Sequence, residues 1–426
     1  MNTATDVLVI GAGLAGLRAG VDLMNAGREV VVVEARDRVG GRVWSHLFTN
    51  GQWCERGAEF IDSSHVTVLA LAESLGLQLT EVHSGHDDAH RWLDVGGRAA
   101  PFALHHSLVG ELARWHDAIA VLAEMVDADD PSASSLAGEL DQARLSDLVS
   151  SLQLSPMARV VIGREVRSEF MLGPDEVSQL MAGWMTALHL RSGQGREAYR
   201  IAGGNDLLAQ GLATQLGQRV RLSSPVDRLD AESGQVVFAD GSVITAQHLI
   251  VTVPLPVLGR MWADMPGELA AVGYGIGGKV SLQTGRRVWN DHECDGSVVT
   301  ERAWGQMWET SEAQPGDSGV LTILLSSHDG AALAALPDTT NRVIDEANRL
   351  FPGLKGLVGE RVQTDWTNDR FSLGCYATFG PGEFLPAWAM MHRRYGRMVL
   401  AGEHTDALAG FMEGALRSGS RAAAQM

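Results

Sequence analysis

The fold of this chain is decided by residues 7–16, which read VLVIGAGLAG. The four apolar residues at the start predict a short strand that is buried on both faces. The G-x-G-x-x-G pattern that follows predicts a tight turn into a helix. Gly11 allows the turn, Gly13 lets the backbone approach a pyrophosphate, and Gly16 lets helix and strand pack closely. The first turn of that helix, which includes Ala15, offers N–H groups to an anion.

A second strand with an acidic end completes this unit. Residues 14–26 read as a helix, Gly27 fits the position after its C-terminus, and the valine-rich run 29–34 reads as the next strand. Glu34 ends that strand, where a carboxylate accepts hydrogen bonds from ribose hydroxyls. Together these features predict a dinucleotide-binding unit, although they do not distinguish FAD from NAD.

The loop after the second strand adds another set of donors. Positions 34–42 read EARDRVGGR, so that Ala35 is followed by arginines and a Gly-Gly turn that includes Gly41. Arg36 and Arg42 supply charged donors for a diphosphate. The position of this loop next to the ribose site favours that role over a solvated charged surface.

Length and pattern predict two domains. The 426 residues exceed the roughly 250–300 residues at which a single core stops growing. Helical periodicity dominates the stretch 84–192, whereas strand patterns occur before and after it. We expect an α/β fold with a two-dinucleotide (Rossmann-like) domain and a second, α+β, substrate-binding domain. The first domain is predicted to combine 1–83, 193–285 and 366–426, and the second to combine 84–192 and 286–365.

Composition narrows the function classes. The formal net charge is −18, with 52 acidic and 34 basic residues, which argues against a nucleic-acid partner because such a surface needs a positive field. The N-terminus lacks a signal-peptide pattern, and no apolar run reaches the roughly 18 residues of a membrane helix. Cys54, Cys294 and Cys375 are far apart, which favours a reducing compartment. We expect a cytoplasmic protein with no membrane partner, and its oligomeric state stays open, a homodimer included.

Six short motifs are spread in order along nearly the whole chain. They are EARDRVGGR at 34–42, GAEFI at 57–61, YRIAGG at 199–204, PV at 225–226, AGE at 401–403 and GFMEGALRSG at 410–419. In this sequence and order they resemble the flavin-dependent amine oxidase family, which includes monoamine oxidases, polyamine oxidases and L-amino-acid oxidases. The first and last motifs together are highly specific for that family.

The resemblance implies FAD as the cofactor. Val226 matches the strand whose backbone meets adenine, and Glu403 stands at a strand end where it holds a ribityl hydroxyl. Cys375 matches the cysteine that monoamine oxidases join covalently to FAD; a thioether and a small buried hydrophobe both stay open for it. The implied cofactor contacts are Gly11, Gly13, Ala15, Gly16, Glu34, Ala35, Arg36, Gly41, Arg42, Gly57, Ala58, Glu59, Val226, Cys375, Gly402, Glu403 and Met412.

The same resemblance implies the residues that act on the substrate. Lys279 matches the family lysine that holds a water near flavin N5, and Trp366 matches a tryptophan near the cofactor. Tyr376 and Phe411 match the aromatic pair that flanks the amine in front of the flavin. Phe411 stands where monoamine oxidases have tyrosine, and Leu408 where many have tryptophan, so the identity of the amine stays open.

Other polar and apolar residues are candidates for the substrate cavity. Met181, Trp184 and Met185 recur at helical spacing and either face a substrate or pack the core. An amino-acid substrate needs a cation for its carboxylate, and the arginines available are Arg164, Arg167 and Arg191. Three histidines in an acidic stretch lack the spacing of a known metal site, so no metal is expected. They are His83, His86 and His90.

The implied reaction is oxidation of a small-molecule amine. The hydrogen on the amine α-carbon passes to flavin N5 as a hydride equivalent, the imine is hydrolysed, and molecular oxygen takes the electrons to give hydrogen peroxide. The alternatives are a related dehydrogenase or desaturase with another electron acceptor, an L-amino-acid oxidase, and a flavin-binding scaffold that serves partner interaction.

Overall fold

The computed structural model of the protein describes residues 2–82 and 89–426. Two large sheets organise it. The strands of the first follow the order Val226–Asp230, Gln235–Phe238, Val243–Val251, Asn2–Ile10, Val30–Val33 and Val220–Arg221, with Met398–Leu400 also paired to Val243–Val251. The strands of the second follow the order Val358–Asp365, Gly277–Thr284, Gly319–Ser326, Gln306–Glu309, Val298–Thr300, Trp92–Val95 and Arg98–Pro101. Two-stranded sheets pair Ser45–Leu47 with Trp53–Glu55 and Leu79–Glu81 with Tyr199–Ile201.

The α-helices cover these sheets or form a layer of their own. Those that pack with the first sheet are Leu14–Asn25, Val66–Ser74, Asp206–Leu216 and Met412–Ala423. Those that pack with the second sheet are Ser327–Ala334 and Thr339–Leu350. The others are His106–Glu124, Ala137–Gln142, Leu145–Ser151, Pro156–Phe170, Gln179–Ser192, Leu255–Leu258, Gly267–Ala270 and Phe384–Met391. In the part of the chain that the structure describes, none of the helices combines the length and the apolar character needed to span a bilayer.

The predicted dinucleotide unit is confirmed. The strand Asn2–Ile10 pairs in parallel with Val30–Val33 on one side and with Val243–Val251 on the other. Its residues from Val7 to Val9 are fully buried, as a parallel strand covered on both faces requires. Asp240 and Gly241 between two apolar runs also predict a hairpin, and Gln235–Phe238 and Val243–Val251 pair antiparallel across this turn.

One strand belongs to a different sheet from the one its predicted domain implies. Gly277–Thr284 was expected in the first domain, within 193–285, but it pairs antiparallel with Gly319–Ser326 and Val358–Asp365 in the second sheet. Alternating side chains identify a strand but do not identify its partner. The predicted boundary at 285 therefore falls after this strand, whereas the sheets separate before it. The boundary at 83 lies outside the described residues, and the division into two domains stays a prediction.

Within the helical stretch, the apolar spacing of residues 174–190 predicts a helix, and the observed helix begins later than this pattern indicates. The observed helix is Gln179–Ser192, and Ser178 caps it because its Oγ accepts a hydrogen bond from the Met181 N–H over 3.1 Å. Serine at this position satisfies an amide that the first turn of the helix leaves without a backbone partner. The serine cap therefore determines where the helix begins. The apolar spacing continues on both sides of Ser178 and so does not mark this position.

Glu413 stabilises the start of the helix Val66–Ser74 from across the molecule. Its buried carboxylate accepts hydrogen bonds from the backbone N–H groups of Thr67 and Val68, over 3.0 and 2.8 Å. We expect Glu413→Ala to lower the free energy of unfolding by about 1–3 kcal/mol, because two inward amides lose their acceptor. Chemical denaturation measures this change. The exposed Glu73 of the same helix is the control, and an equal effect of Glu73→Ala would contradict the assignment.

Candidate active site

A cavity of about 970 Å³ runs through the molecule. The turn after the first strand and the closing helix contribute to its walls, as do the strand Gly277–Thr284 and the helices Pro156–Phe170 and Gln179–Ser192. Its volume is at the upper end of the range typical of ligand sites. Both large sheets thus meet around one space.

The glycine turn leaves bare backbone at one end of the cavity. Gly11 has a φ of +103°, and a Cβ there would lie 2.6 Å from the Thr252 Oγ1. A Cβ on Gly16 would lie 2.0 Å from the Gly11 carbonyl oxygen, so Gly16 lets the helix pack on the strand and does not itself line the cavity. A Cβ on Gly13 would have no protein atom closer than 4.0 Å. The helix N-terminus is therefore open to an anion.

Glu34 lies next to the glycine turn and is bonded to it. Its Oε2 accepts from the Ala12 N–H and its Oε1 from the Arg36 N–H, both over 2.9 Å. The Arg36 guanidinium is in turn bonded to Asp369 and to the Ser372 Oγ. A carboxylate has about four acceptor positions, so Glu34 keeps acceptor capacity for ribose hydroxyls beyond these two bonds.

Arg42 and Glu403 form a buried ion pair in the middle of the cavity wall. The Arg42 Nη1 donates to the Glu403 Oε1 over 2.9 Å and to the Cys375 carbonyl over 2.8 Å. The Glu403 Oε2 accepts from the Gly410 N–H over 2.8 Å. Burial raises the pKa of the Cys375 thiol to about 12, although the Arg42 charge acts in the opposite direction.

Glu59 and Lys279 form a second ion pair further along the wall. The Lys279 Nζ donates to the Glu59 Oε2 over 2.7 Å and to the Gly57 carbonyl over 2.9 Å. Burial alone would raise the pKa of Glu59, but the charges of Lys279 and Arg200 outweigh it and lower this pKa to about 2. A Cβ on Gly57 would lie 1.9 Å from the Arg42 carbonyl oxygen, so only glycine fits between the two ion pairs.

Tyr376 and Phe411 both line the cavity near these pairs. The Tyr376 hydroxyl donates to the Glu169 carbonyl over 2.5 Å, and burial raises the pKa of Tyr376 well above its usual value. A Cβ on Gly410 would lie 3.4 Å from the Tyr376 ring. Gly410, the residue before Phe411, is thus packed against the Tyr376 ring.

Two histidines flank Phe411 on its other sides. The His65 ring centroid lies 5.0 Å from that of Phe411, and the His189 ring lies 6.3 Å from it. Burial lowers the pKa of His65 and of His189, although Asp62 and Glu169 oppose it. Burial therefore favours the uncharged form of both imidazoles at neutral pH.

Most of the predicted site residues line this one cavity. They are Gly11, Gly13, Ala15, Glu34, Ala35, Arg36, Gly41, Arg42, Gly57, Ala58, Glu59, Met185, Val226, Lys279, Trp366, Cys375, Tyr376, Gly402, Glu403, Phe411 and Met412. The indole of Trp366 donates to the Arg56 carbonyl over 2.9 Å, and this bond fixes its ring. Residues predicted from separate motifs are thus brought together; their individual roles stay predictions.

Met181 and Trp184, predicted from their spacing for the substrate cavity, do not line the described cavity. Both are fully buried in the helical layer. The Trp184 ring packs against Phe384 and Trp388 at centroid distances of 5.2 and 5.7 Å, and its Nε1 donates to the Ala128 carbonyl. Helical spacing identifies the buried face, but other helices cover most of it.

The arginines considered from the sequence do not line the described cavity either. The arginines weighed for an amino-acid carboxylate lie away from the described walls of the cavity; they are Arg164, Arg167 and Arg191. His83 and His86, considered and rejected as metal ligands, lie outside the described residues. Among the residues that the structure describes, no three His, Cys, Asp or Glu side chains are grouped to hold a metal ion.

One charged part of the cavity wall was not predicted from the sequence. Asp62, Glu169, Arg196 and Glu197 all line the cavity. The Arg196 Nη2 donates to the Glu169 Oε2 over 2.7 Å, and the Asp62 Oδ1 accepts from the Glu197 N–H over 2.7 Å. Burial raises the pKa of Glu197, and the nearby carboxylates act in the same direction. Arg196 and Glu197 directly precede the 199–204 motif, which was the one available signal.

These groups fit FAD. The glycine turn at a helix N-terminus and Arg36 suit a pyrophosphate, and the carboxylates Glu34 and Glu403 suit ribose and ribityl hydroxyls. The ion pair of Lys279 with Glu59 and the aromatic pair line the far part of the same cavity. A dinucleotide that carries a flat aromatic ring system matches this succession of polar and apolar walls.

Comparison with known proteins agrees with this assignment. Residues 14–426 match the family model of flavin-containing amine oxidoreductases. A protein of Mycobacterium tuberculosis named as the flavin-containing monoamine oxidase AofH is 28% identical, covering 99% of this chain and 96% of its own length. The flavin-containing amine oxidase B of Cavia porcellus is 26% identical over 100% of this chain and 86% of its own.

Solved structures show the same fold at low identity. Putrescine oxidase bound to putrescine superposes with a TM-score of 0.89 at 22% identity, covering 100% of this chain and 99% of its own. Cyclohexylamine oxidase from Brevibacterium oxydans IH-35A superposes with a TM-score of 0.87 at 24% identity, covering 99% and 98%. The family model spans almost all of the sequence, and the chain belongs to the flavin-containing amine oxidoreductases, enzymes that oxidise amines with FAD.

Proposed function

We propose that this protein oxidises an uncharged amine held between Tyr376 and Phe411, with molecular oxygen as the electron acceptor and hydrogen peroxide as a product. The observation that carries this proposal is that Lys279, the aromatic pair and the dinucleotide motifs all line a single cavity. The solved structures that superpose share the fold at low sequence identity. The proposed substrate and electron acceptor are therefore inferred from these side chains.

The protein supplies geometry and electrostatics for this reaction. When bound, FAD takes two electrons and a hydrogen from the amine carbon and passes the electrons to oxygen. The Tyr376 ring is held by its hydroxyl bond to the Glu169 carbonyl, so that its face is presented to the amine in one orientation. The electron-rich faces of two aromatic rings orient the polar C–N bond between them.

The surroundings of Phe411 suit an amine that has lost its proton. His65 and His189 are uncharged at neutral pH because burial lowers the pKa of each. Of the two, the His189 imidazole lines the cavity, and in its neutral form it is able to accept the proton that a protonated amine must release before its C–H bond is oxidised. Water then hydrolyses the imine to a carbonyl compound and ammonia or an amine.

An amine is favoured over an amino acid as the substrate. The relatives include a protein named as an L-amino acid dehydrogenase, from Synechocystis, so this alternative needs an argument. Arg196 lines the cavity, but its guanidinium is already paired with Glu169 over 2.7 Å, and Asp62 and Glu197 add negative charge nearby. A substrate carboxylate would meet more anions than cations in this part of the wall.

The cysteines support the cytoplasm as the compartment. Cys54, Cys294 and Cys375 are all free thiols, and the first two are buried. Free cysteines persist where the surroundings are reducing. We therefore propose that the protein is cytoplasmic.

The amine and the acceptor are tested together. We expect benzylamine, cyclohexylamine or 1,4-diaminobutane to bleach the flavin without air, and to give one hydrogen peroxide per amine in air, whereas L-leucine does neither. Phe411→Ala should lower kcat/KM by about tenfold or more because one ring of the slot is lost, while Phe411→Tyr should stay within about threefold. Bleaching without peroxide would show a dehydrogenase, and bleaching only by amino acids would show an amino-acid oxidase.

Acid precipitation tests the bond between FAD and Cys375. The raised pKa of the thiol, about 12, leaves little thiolate at neutral pH, and the thiolate is the nucleophile. We expect the yellow colour to stay in the supernatant, and Cys375→Ser to keep the full flavin content. Colour in the pellet that is lost in Cys375→Ser would instead demonstrate a covalent bond.

A further inference from the structure

Glu59 is one of the most completely hydrogen-bonded side chains in the cavity wall. Its Oε1 accepts from the Trp308 Nε1 over 2.9 Å, the Thr310 Oγ1 over 2.7 Å and the Arg200 Nε over 3.1 Å. Its Oε2 accepts from the Lys279 Nζ over 2.7 Å. The carboxylate is fully enclosed and carries its charge because the pKa is lowered to about 2. It is therefore a fixed anion beside the cavity.

Lys279 has one donor left after these contacts. An ammonium group has three N–H donors, and two of them are used by the Glu59 carboxylate and the Gly57 carbonyl. The side chain is 11% exposed and lines the cavity, and the Trp308 ring lies 5.3 Å from the Nζ. Two fixed acceptors on one side direct the third N–H away from them.

Glu59 is the anion that holds this ammonium in place. The other titratable groups that act on Lys279 include Glu55, Cys54 and Cys375. Burial raises the pKa of each of them, to about 8 for Glu55 and about 12 for the thiols, so all three are neutral at pH 7. Among the described residues, the ion pair of Lys279 is with Glu59.

We propose that Glu59 is a positioning residue for oxygen reduction: it fixes the Lys279 ammonium so that one N–H points into the cavity, where it stabilises the negative charge that develops on oxygen. This inference rests on the proposed oxidase function. Oxygen takes two electrons from the reduced cofactor and two protons to become hydrogen peroxide, with its O–O bond intact. A preorganised donor aimed at developing charge is the kind of group that accelerates such a step.

A purely structural role for Glu59 makes a different prediction. Glu59 joins the segment after Gly57 to strands of the second sheet through Lys279, Trp308 and Thr310. If it only held these elements together, its replacement would affect stability and every catalytic step alike. If it acts through Lys279, its effect disappears once Lys279 is gone, which a double-mutant cycle measures directly.

The experiment compares Glu59→Gln, Lys279→Met and the double variant as flavin-loaded proteins. The flavin is reduced with dithionite and mixed with oxygen, so that no amine is needed. We expect Lys279→Met to slow reoxidation about 100-fold and Glu59→Gln to slow it about tenfold or more. The double variant should equal Lys279→Met within about threefold. Effects that multiply, or a Glu59→Gln rate equal to that of the unmodified protein, would overturn the proposal.

Glu55→Gln is the matched control. Glu55 is as deeply buried as Glu59 and four residues away, but among the described residues its hydrogen bonds come from the neutral Asn205 N–H and Ser45 Oγ, and its pKa is raised to about 8. It should leave both reoxidation and the visible spectrum of the oxidised flavin unchanged. Glu59→Gln should shift that resting spectrum in the direction that Lys279→Met does, and an unshifted spectrum counts against the proposal.

A second variant and a separate amine assay distinguish loss of flavin, failure of the proposed function and failure of the role of Glu59. If Glu59→Gln is isolated without flavin, the same double-mutant cycle is run with Glu59→Asp. This variant keeps the charge but moves it away from the Lys279 Nζ. We again expect the effects to be non-additive with Lys279→Met, and effects that multiply would overturn the proposal. Failure of every amine to bleach the flavin would refute the proposed function, whereas the reoxidation cycle, which needs no amine, refutes or supports the role of Glu59 alone.

Discussion

The buried ion pair between Arg42 and Glu403 is the interaction on which the site depends, because it joins segments that are more than three hundred residues apart. Removing two charges from water is costly unless their remaining hydrogen-bonding positions are filled. Here the Cys375 carbonyl accepts from the Arg42 Nη1, and the Gly410 and Ala377 N–H groups donate to the Glu403 carboxylate. The Arg42 carbonyl also accepts from the Ala58 N–H. The cofactor loop, the cysteine segment and the closing helix are thereby held in one wall.

Much of the first sheet and its binding turn was readable from sequence because local rules determine it. An apolar run, a glycine turn and an acidic strand end specify the unit from Asn2–Ile10 to Glu34 without reference to the rest of the chain. The resemblance then identified residues from distant motifs, and most of them line one cavity. Each of these predictions uses either a local conformational requirement, as at Gly11, or a motif position.

The features that were not predicted from the sequence depend on contacts between distant parts of the chain. The strand Gly277–Thr284 pairs with the second sheet, and no feature of its own alternation specifies that partner. Met181 and Trp184 share a helix with Met185, yet only Met185 reaches the cavity, because neighbouring helices cover the rest of that surface. The charged wall was missed for the same reason: Asp62 and Glu169 become neighbours only when the chain folds.

Glu55 and Glu59 show why burial alone does not decide the chemistry of a side chain. Both carboxyl groups are enclosed, and burial raises the pKa of each. The hydrogen bonds described for Glu55 come from neutral donors, and its pKa is raised to about 8. At Glu59, the charges of Lys279 and Arg200 outweigh the effect of burial and lower the pKa to about 2. A buried anion persists where charged donors surround it. At Glu59 the retained charge pairs with Lys279, a cation that lines the cavity.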